Sequence, residues 1–393
     1  SNLADSYPLD NSATSQSIAV DYASDGFISE QLLLDMAGAS ANLDDHAGAA
    51  VAIDGNLLAV GIPDYGLDDS GAIYTRREQN GNWIDVSLVL AGDAASNMRF
   101  GAAVAISGNT LAVGAPATGS TGEAGAVYIF DWDGNSWIQS QKIIANGAAA
   151  NDEFGFAVAL QDDQLVVGSP GQPVAGLADS GLVHIYSRTE SGFVETTTLD
   201  PLVGSPLYPY QGRFGASVDL DNGTLVVGAP SDSSLLLYGR TLVFTEDDGA
   251  WSLQQELTTA IANPADLFGR AVAVSGDYVV VGAQYNTEGG LDSGAAHVYR
   301  RFGNIWSFQQ RLIAADAVSF EEFGSSVDIQ EETLVVGAPG ARTAEGTGEQ
   351  AGSTYIFQLD GSSWLQKQKR SYPSVTTPTQ IAFGTAVALD ADT

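Results

Sequence analysis

One unit recurs along this chain, and its period constrains the fold more than any other feature. An aromatic–glycine pair followed by small and β-branched residues stands at Phe100-Gly101, Phe154-Gly155, Phe214-Gly215, Phe268-Gly269, Phe323-Gly324 and Phe383-Gly384, with a degenerate copy at Ala47-Gly48. Successive glycines are 53, 54, 60, 54, 55 and 60 residues apart. Periods of this size belong to propellers and solenoids, whose units bury their apolar faces only against neighbouring copies. Thirteen residues after each glycine comes a second marker: Gly61-Ile62-Pro63, Gly114-Ala115-Pro116, Gly168-Ser169-Pro170, Gly228-Ala229-Pro230, Gly282-Ala283-Gln284 and Gly337-Ala338-Pro339. A strand such as Gly125-Ala126-Val127-Tyr128-Ile129-Phe130 follows, and then an aromatic residue (Trp83, Trp137, Phe193, Trp251, Trp306, Trp364) opens one more.

Each copy therefore reads as four strands. In the second, Ala103-Val104-Ala105-Ile106 leads through the turn Gly108-Asn109 into Leu111-Ala112-Val113-Gly114. The turn residues suit a hairpin that needs positive φ. The second strand is apolar throughout, as a strand covered on both faces must be. Pro116 ends it, because proline cannot donate to the ladder. The expected fold is all-β: a seven-bladed β-propeller of four-stranded antiparallel blades in one domain. The blades fall at about 44–92, 97–146, 151–200, 211–259, 265–314, 320–370, and 380–393 combined with 3–35. The last would be shared between the ends: Ala386-Val387-Ala388-Leu389 as its inner strand, Ser17–Tyr22 as its third strand, Phe27 opening its fourth, and residues 3–8 as a weak echo of its second.

Composition narrows the function classes. Forty-eight acids against 15 bases give a net charge of −33, which repels nucleic acid and anionic membrane and suits salty or calcium-rich water outside a cell. There is no cysteine, hence no disulfide framework or thiol chemistry. No apolar run reaches the ~18 residues of a membrane span. The opening Ser1-Asn2, without Met or signal peptide, has the look of a processed or excised piece.

The Phe-Gly and Gly-Ala-Pro blocks resemble FG-GAP repeats, the units of the integrin α-subunit propeller and of many bacterial surface proteins. The likeness runs over about residues 17–393, and Trp137…Gln141, Trp251…Gln255 and Trp306…Gln310 look like the bacterial version. The resemblance implies a seven-bladed propeller with roles in adhesion and ligand binding. Integrin turns between strands one and two often carry an Asp-x-Asp-x-Asp-Gly calcium loop; here they are short, as in Asp54-Gly55-Asn56 and Asp221-Asn222-Gly223, and none can wrap an ion alone. Asp390-Ala391-Asp392 starts like a calcium loop but equally matches the hairpin at Asp221. No cofactor is required by this reading, and structural Ca²⁺ held jointly by clustered carboxylates stays open.

Strand 2–3 and strand 4–1 loops share one face and carry the length variation. Variable loops on a constant scaffold are where binding usually lives. The candidate ligand-binding residues there are Tyr65, Asp68, Tyr208, Tyr210, Tyr238, Tyr285, Asp292 and Tyr372, since tyrosine contacts protein and sugar rings well. The recurring Asp-Ser-Gly before strand three, and Asp45, Asp152, Asp266 and Glu321 two residues before the Phe position, read as structural turns. His184 and His297 hold equivalent places on strand three and read as partly buried repeat residues. There is no Gly-x-Ser-x-Gly elbow, zinc-spaced histidine pair or phosphate loop. The expectation is a secreted or cell-surface bacterial binding module, not an enzyme, taking a protein or glycan, as a monomer or part of a larger surface protein. A polysaccharide-active enzyme or accessory domain and an architectural spacer are the alternatives.

Overall fold

The computed structural model describes residues 46–66, 68–117, 124–201, 212–230, 238–258, 266–342, 351–371 and 382–390, and the backbone of 17–21. Among these residues there are 26 strands and no α-helix. Six sheets hold four antiparallel strands each, in simple chain order. The second blade shows the pattern: Ala103–Ser107, Thr110–Ala115, Ala126–Trp132 and Trp137–Ile143. Its second strand is buried at all six positions, while its fourth is exposed at most. Burial thus falls from the axis outward, as the sequence pattern indicates. In every complete blade the register between strands three and four slips at one place, as at Ile129/Phe130. Such bulges add local twist to the outer hairpin.

The inner strands Val51–Asp54, Ala103–Ser107, Ala157–Gln161, Ser217–Asp221, Val272–Ser275, Ser326–Gln330 and Ala386–Asp390 touch one another in sequence, and the last touches the first. The ring is therefore closed. The seventh sheet departs from expectation. It is not a four-stranded antiparallel blade but a two-stranded one, in which Ser17–Asp21 lies directly beside Ala386–Asp390 and parallel to it. In an up-down-up-down blade, strand three runs parallel to strand one. Ser17–Asp21 keeps that direction but stands in the neighbouring slot. Residues 3–8, read as strand two, and Phe27 lie outside the described residues.

Both sequence markers turn out to serve one joint. A Cβ added to the Gly of each Gly-x-Pro block would meet the carbonyl oxygen of the next blade's Phe-Gly glycine: Gly61 against Gly101, Gly114 against Gly155, Gly168 against Gly215, Gly228 against Gly269, Gly282 against Gly324 and Gly337 against Gly384. The Phe beside it is fully buried and fills the wedge between blades; Phe100, Phe154, Phe214 and Phe323 are at 0% exposure. Its N–H donates across the joint, as from Phe214 to the Ser180 carbonyl at 3.0 Å and from Phe323 to Ser293 at 3.0 Å. That carbonyl belongs to the Asp-Ser-Gly turn, whose aspartate sits in the left-handed region (Asp69, Asp179, Asp292). The outer edge has its own clamp. The Gln141 carboxamide exchanges two hydrogen bonds with the Phe193 backbone, and Gln255 does the same with Trp306 and Gln310 with Trp364. A side-chain amide here stands in for one rung of a ladder between the outermost strands of neighbouring sheets.

Candidate ligand-binding face

The two ends of the propeller are built differently. At the end carrying the strand 1–2 hairpins, the last side chain of six of the seven inner strands accepts from the next blade's turn. Asp54 bonds the Gly108 N–H, Ser107 that of Asp162, Gln161 that of Asn222, Asp221 that of Gly276, Ser275 that of Glu331, and Asp390 that of Gly55. In each of these the side-chain oxygen accepts. The hairpin carboxylates are thus engaged in holding blades together. Asp390 thereby closes the ring onto the first blade, while Ala391 and Asp392 lie outside the described residues. The carboxylates of Asp54, Asp221 and Asp390 each accept from a backbone N–H, and among the described residues no three acids or histidines gather as metal ligands.

The opposite end carries the long loops. Here the residue before the Phe-Gly position adopts a left-handed backbone in six copies: His46, Arg99, Glu153, Arg213, Leu267 and Glu322 have φ between 51° and 58°. Its carbonyl accepts from the residue after the glycine, as Ala102 N–H to Arg99 and Arg270 N–H to Leu267, both at 3.0 Å. This turn recurs in every copy and sets a crown of side chains around the axis. Neighbours in the crown interact. Asp64 takes both His46, at 2.5 Å, and Arg99, at 2.9 Å. Arg213 pairs with Glu153 at 2.6 Å and lies 5.3 Å from the Phe156 ring centre.

Further out, one slot on strand three repeats with changing chemistry. Tyr128 donates to Asp93 at 2.8 Å while Lys142 pairs with the same carboxylate at 2.6 Å, and Tyr355, Asp316 and Lys369 repeat the arrangement. Hydrogen bonding from Lys142 holds Asp93 below the usual carboxylate range, and burial pushes Tyr128 up to about 12. A cavity of about 230 Å³ opens beside Tyr128, Lys142 and Met98. His184 fills the same slot in the third blade and bonds Glu195 and Gln172 at 2.7 and 3.0 Å. His297 fills it in the fifth, buried against Phe268. Burial holds both histidines below their ordinary range, with Arg311 adding to the effect at His297, which falls to about 4. Both are interior residues.

The sequence-predicted residues that are described all map to this face and are spread over the first, fourth and fifth blades. Tyr65 is half-buried against the core of the first blade, one residue after Asp64. Asp68 is exposed; its carboxylate accepts from Ser96 at 3.4 Å and its carbonyl from the Asn97 N–H at 2.7 Å. Tyr238, in the fourth blade, is 56% exposed. Tyr285 is half-buried in the fifth, its N–H directed at the Asp266 carbonyl. The Asp292 carbonyl receives the Glu322 N–H at 3.1 Å, so its backbone belongs to a blade joint. Tyr208, Tyr210 and Tyr372 lie outside the described residues. Asp152 and Glu321 prove to be loop braces, accepting from the Ala149 and Val318 N–H groups. The sequence reading missed the crown and the Tyr–Asp–Lys clusters. The crown had a signal: the position before the Phe varies in charge while the Phe-Gly pair that follows it hardly varies at all.

Closed rings of such sheets, with hairpins locked at one end and variable loops at the other, define a β-propeller repeat protein. Four segments, residues 83–130, 137–186, 251–299 and 306–357, match the family model of the FG-GAP repeat. These segments cover just over half of the 393 residues, and the chain belongs to the FG-GAP repeat family. Each matched segment starts on strand four of one blade and ends on strand three of the next. The repeating unit of sequence therefore contains the joint between blades.

Proposed function

We propose that the protein is an extracellular adhesion-type module that recognises a protein or glycan through its loop-rich face. The observation that carries this reading is the contrast between the two ends. One is made of short hairpins, most of them two residues long, with polar side chains engaged in latches; the other holds most of the length variation, the crown and the candidate tyrosines. A rigid scaffold with variable loops at one end is the usual arrangement for binding. We read it as a binder and not a glycosidase. Glycoside cleavage needs two carboxylates free to act on substrate, and the acids best placed here are paired: Asp64 with Arg99, Glu153 with Arg213, Asp93 with Lys142 and Asp316 with Lys369. The acidic surface and the absence of a long apolar helix among the described residues fit a setting outside the cell.

Arrays of glycans and matrix proteins probed with the purified chain test the reading. Binding is expected to at least one class and to fall at least about tenfold in the variant Tyr65→Ala/Tyr238→Ala/Tyr285→Ala. The variant Asn56→Ala/Asn109→Ala/Glu332→Ala, at the hairpin end, is expected to bind like the parent. Equal loss in both variants, or loss only in the second, would place the ligand elsewhere. Release of shortened glycan from a bound target would make the protein an enzyme.

A further inference from the structure

The seven copies serve as an internal comparison, because each position of the unit is seen repeatedly in one molecule. At the joint between the first and second blades, on the loop-rich face, the Asn97 N–H donates to the Asp68 carbonyl at 2.7 Å. At the joint between the fifth and sixth blades, the Phe320 N–H donates to the Leu291 carbonyl at 2.8 Å. The two bonds hold the same place in the unit. Asn97 and Phe320 stand three residues before Phe100 and Phe323, and Asp68 and Leu291 three before Gly71 and Gly294. A third slot changes with them. Val318 directs its N–H at the Glu321 carboxylate as Ala149 does at Asp152, and the first joint has Ala95 there. Aspartate, alanine and asparagine at one joint thus become leucine, valine and phenylalanine at another.

The three apolar side chains do not enter the core. Leu291 is 56% exposed, Val318 44% and Phe320 46%. They stand together: Leu291 and Phe320 are joined backbone to backbone, and a Cβ added to Gly290 would lie 3.0 Å from the Oγ of Ser319, between Val318 and Phe320. Phe320 also has an unusual backbone for its type. Its φ of +69° matches +60° at Asn97 and +68° at Asn151. Asparagine tolerates that region, whereas a bulky side chain is strained in it. A strained ring held at the surface, where packing gives it little return, points to a contact made outside the molecule.

Charge around the patch narrows the partner. The Glu322 N–H donates to the Asp292 carbonyl at 3.1 Å, so these two acids lie side by side next to Leu291 and Phe320. Neighbouring cations are engaged elsewhere: Arg311 with Glu288 and Lys369 with Asp316, while Arg342 acts on Glu321. Neither Asp292 nor Glu322 makes an ion pair among the described residues. Burial, and next to it repulsion from Asp292, holds the Glu322 carboxyl above its ordinary range. An apolar surface beside two such carboxylates is complementary to an apolar group with a cation next to it. A polypeptide offers that combination; a neutral or acidic sugar does not.

We propose that Leu291, Val318 and Phe320 form a docking patch for a protein ligand, taking an apolar side chain that has lysine or arginine beside it. The proposal rests on the reading of the loop-rich face as the ligand-binding one and assigns the partner its chemistry.

The test measures, by calorimetry, binding of three capped heptapeptides to the purified chain: Lys-Ser-Lys-Phe-Lys-Ser-Lys, the same peptide with serine for phenylalanine, and the same with glutamate for every lysine. The first is expected to bind at least about tenfold more tightly than either of the others. The variant Leu291→Asp/Phe320→Asn copies Asp68 and Asn97 of the first joint and should therefore fold. It is expected to bind the phenylalanine and serine peptides alike. Phe320→Asn alone is expected to melt no lower than the parent, because asparagine suits a φ of +69°. Equal binding of the phenylalanine and serine peptides by the parent would reveal attraction by net charge alone and overturn the proposal. A preference kept by the double variant, no binding of any peptide, or a Phe320→Asn melt well below the parent would overturn it too. A glycan found on the arrays and lost in the double variant would give the patch to sugar, with the same result. An array ligand lost in Tyr65→Ala/Tyr238→Ala/Tyr285→Ala but bound normally by the double variant would remove this proposal and leave the reading of the face standing.

Discussion

Replacing Gly168 by alanine is expected to abolish the cooperative fold. The added Cβ would lie 1.9 Å from the Gly215 carbonyl oxygen and 2.9 Å from its carbon. Both are backbone atoms, so no side chain can swing away. Nor can the backbones part freely. Gly215 donates to the Gly228 carbonyl and Phe214 to Ser180, each at 3.0 Å, and Phe214 is wholly buried between the third and fourth blades. Relief of the clash needs those bonds stretched and the Phe wedge lifted. Combined losses of this kind reach about 4–5 kcal/mol or more, a large share of the ~5–15 kcal/mol that holds a domain together. Gly249→Ala is the matched control. Gly249 has φ +81° but nothing within 4 Å of its added Cβ, so the cost is confined to backbone strain of about 1 kcal/mol. Thermal melts should show no folded Gly168→Ala protein and a Gly249→Ala protein only slightly below the parent. A Gly168→Ala melt close to that of the parent would mean that the blades do not meet as described.

Between pH 6.5 and 9 the melting temperature is expected to fall by a few degrees, and two aspartates account for it. The fifth residue of the inner-strand motif is alanine in five copies, Ala52, Ala105, Ala159, Ala273 and Ala388, but is Asp219 and Asp328 in the other two. Each points into the innermost crevice and accepts from the next blade, Asp219 from the Val274 N–H at 2.7 Å and Asp328 from the Leu389 N–H at 2.5 Å. Burial pushes Asp219 up to about 8, with Asp328 and Asp221 adding repulsion, and pushes Asp328 up to about 7, with Asp390 adding to it. In the unfolded chain both titrate near 3.9. The native state thus holds protons that the unfolded chain releases, so stability from this source is full below about pH 4 and drains away as pH rises through 7 and 8. Ordinary surface carboxylates are ionised in both states across this window and add no slope. The lowered histidines cost stability only below their ordinary range, on the acid side. Asp219→Asn/Asp328→Asn keeps an oxygen for each N–H and removes the charge. The double variant should melt at nearly the same temperature at pH 6.5 and 9. A parent without the fall, or a double variant that keeps it, would contradict the assignment.

Much of the architecture was legible because the joint between blades leaves a covalent trace. Only glycine fits at positions such as Gly114 and Gly168, and only a large ring fills the wedge at Phe154 or Phe214, so the markers recur at fixed spacing. The partner clamp of Gln255 was visible as a motif, though its role was not, because its hydrogen bonds run to the next blade and not along its own strand. The two-stranded seventh sheet was not legible. Pairing of Ser17–Asp21 with Ala386–Asp390 spans the whole chain, and alternation alone cannot say which of two parallel slots a strand takes. The site was only partly legible for a similar reason. Tyrosines in long loops stand out by type, whereas Arg213 and its partner Glu153 gain meaning only when two blades meet.

Ring closure through Ala386–Asp390 is what the account rests on, and an engineered crosslink tests it most directly. The chain has no cysteine, so Gly55→Cys/Asp390→Cys introduces a single pair. The Gly55 N–H reaches the Asp390 carboxylate in the closed ring, so the two positions are neighbours there, as a disulfide requires. On mild oxidation the account predicts a monomer with the bond formed nearly quantitatively and a raised melting temperature, since a loop of this length stabilises by roughly 5 kcal/mol in the chain-entropy treatment. Free thiols that persist, or disulfides that form only between molecules, would show that the two ends of the chain do not meet.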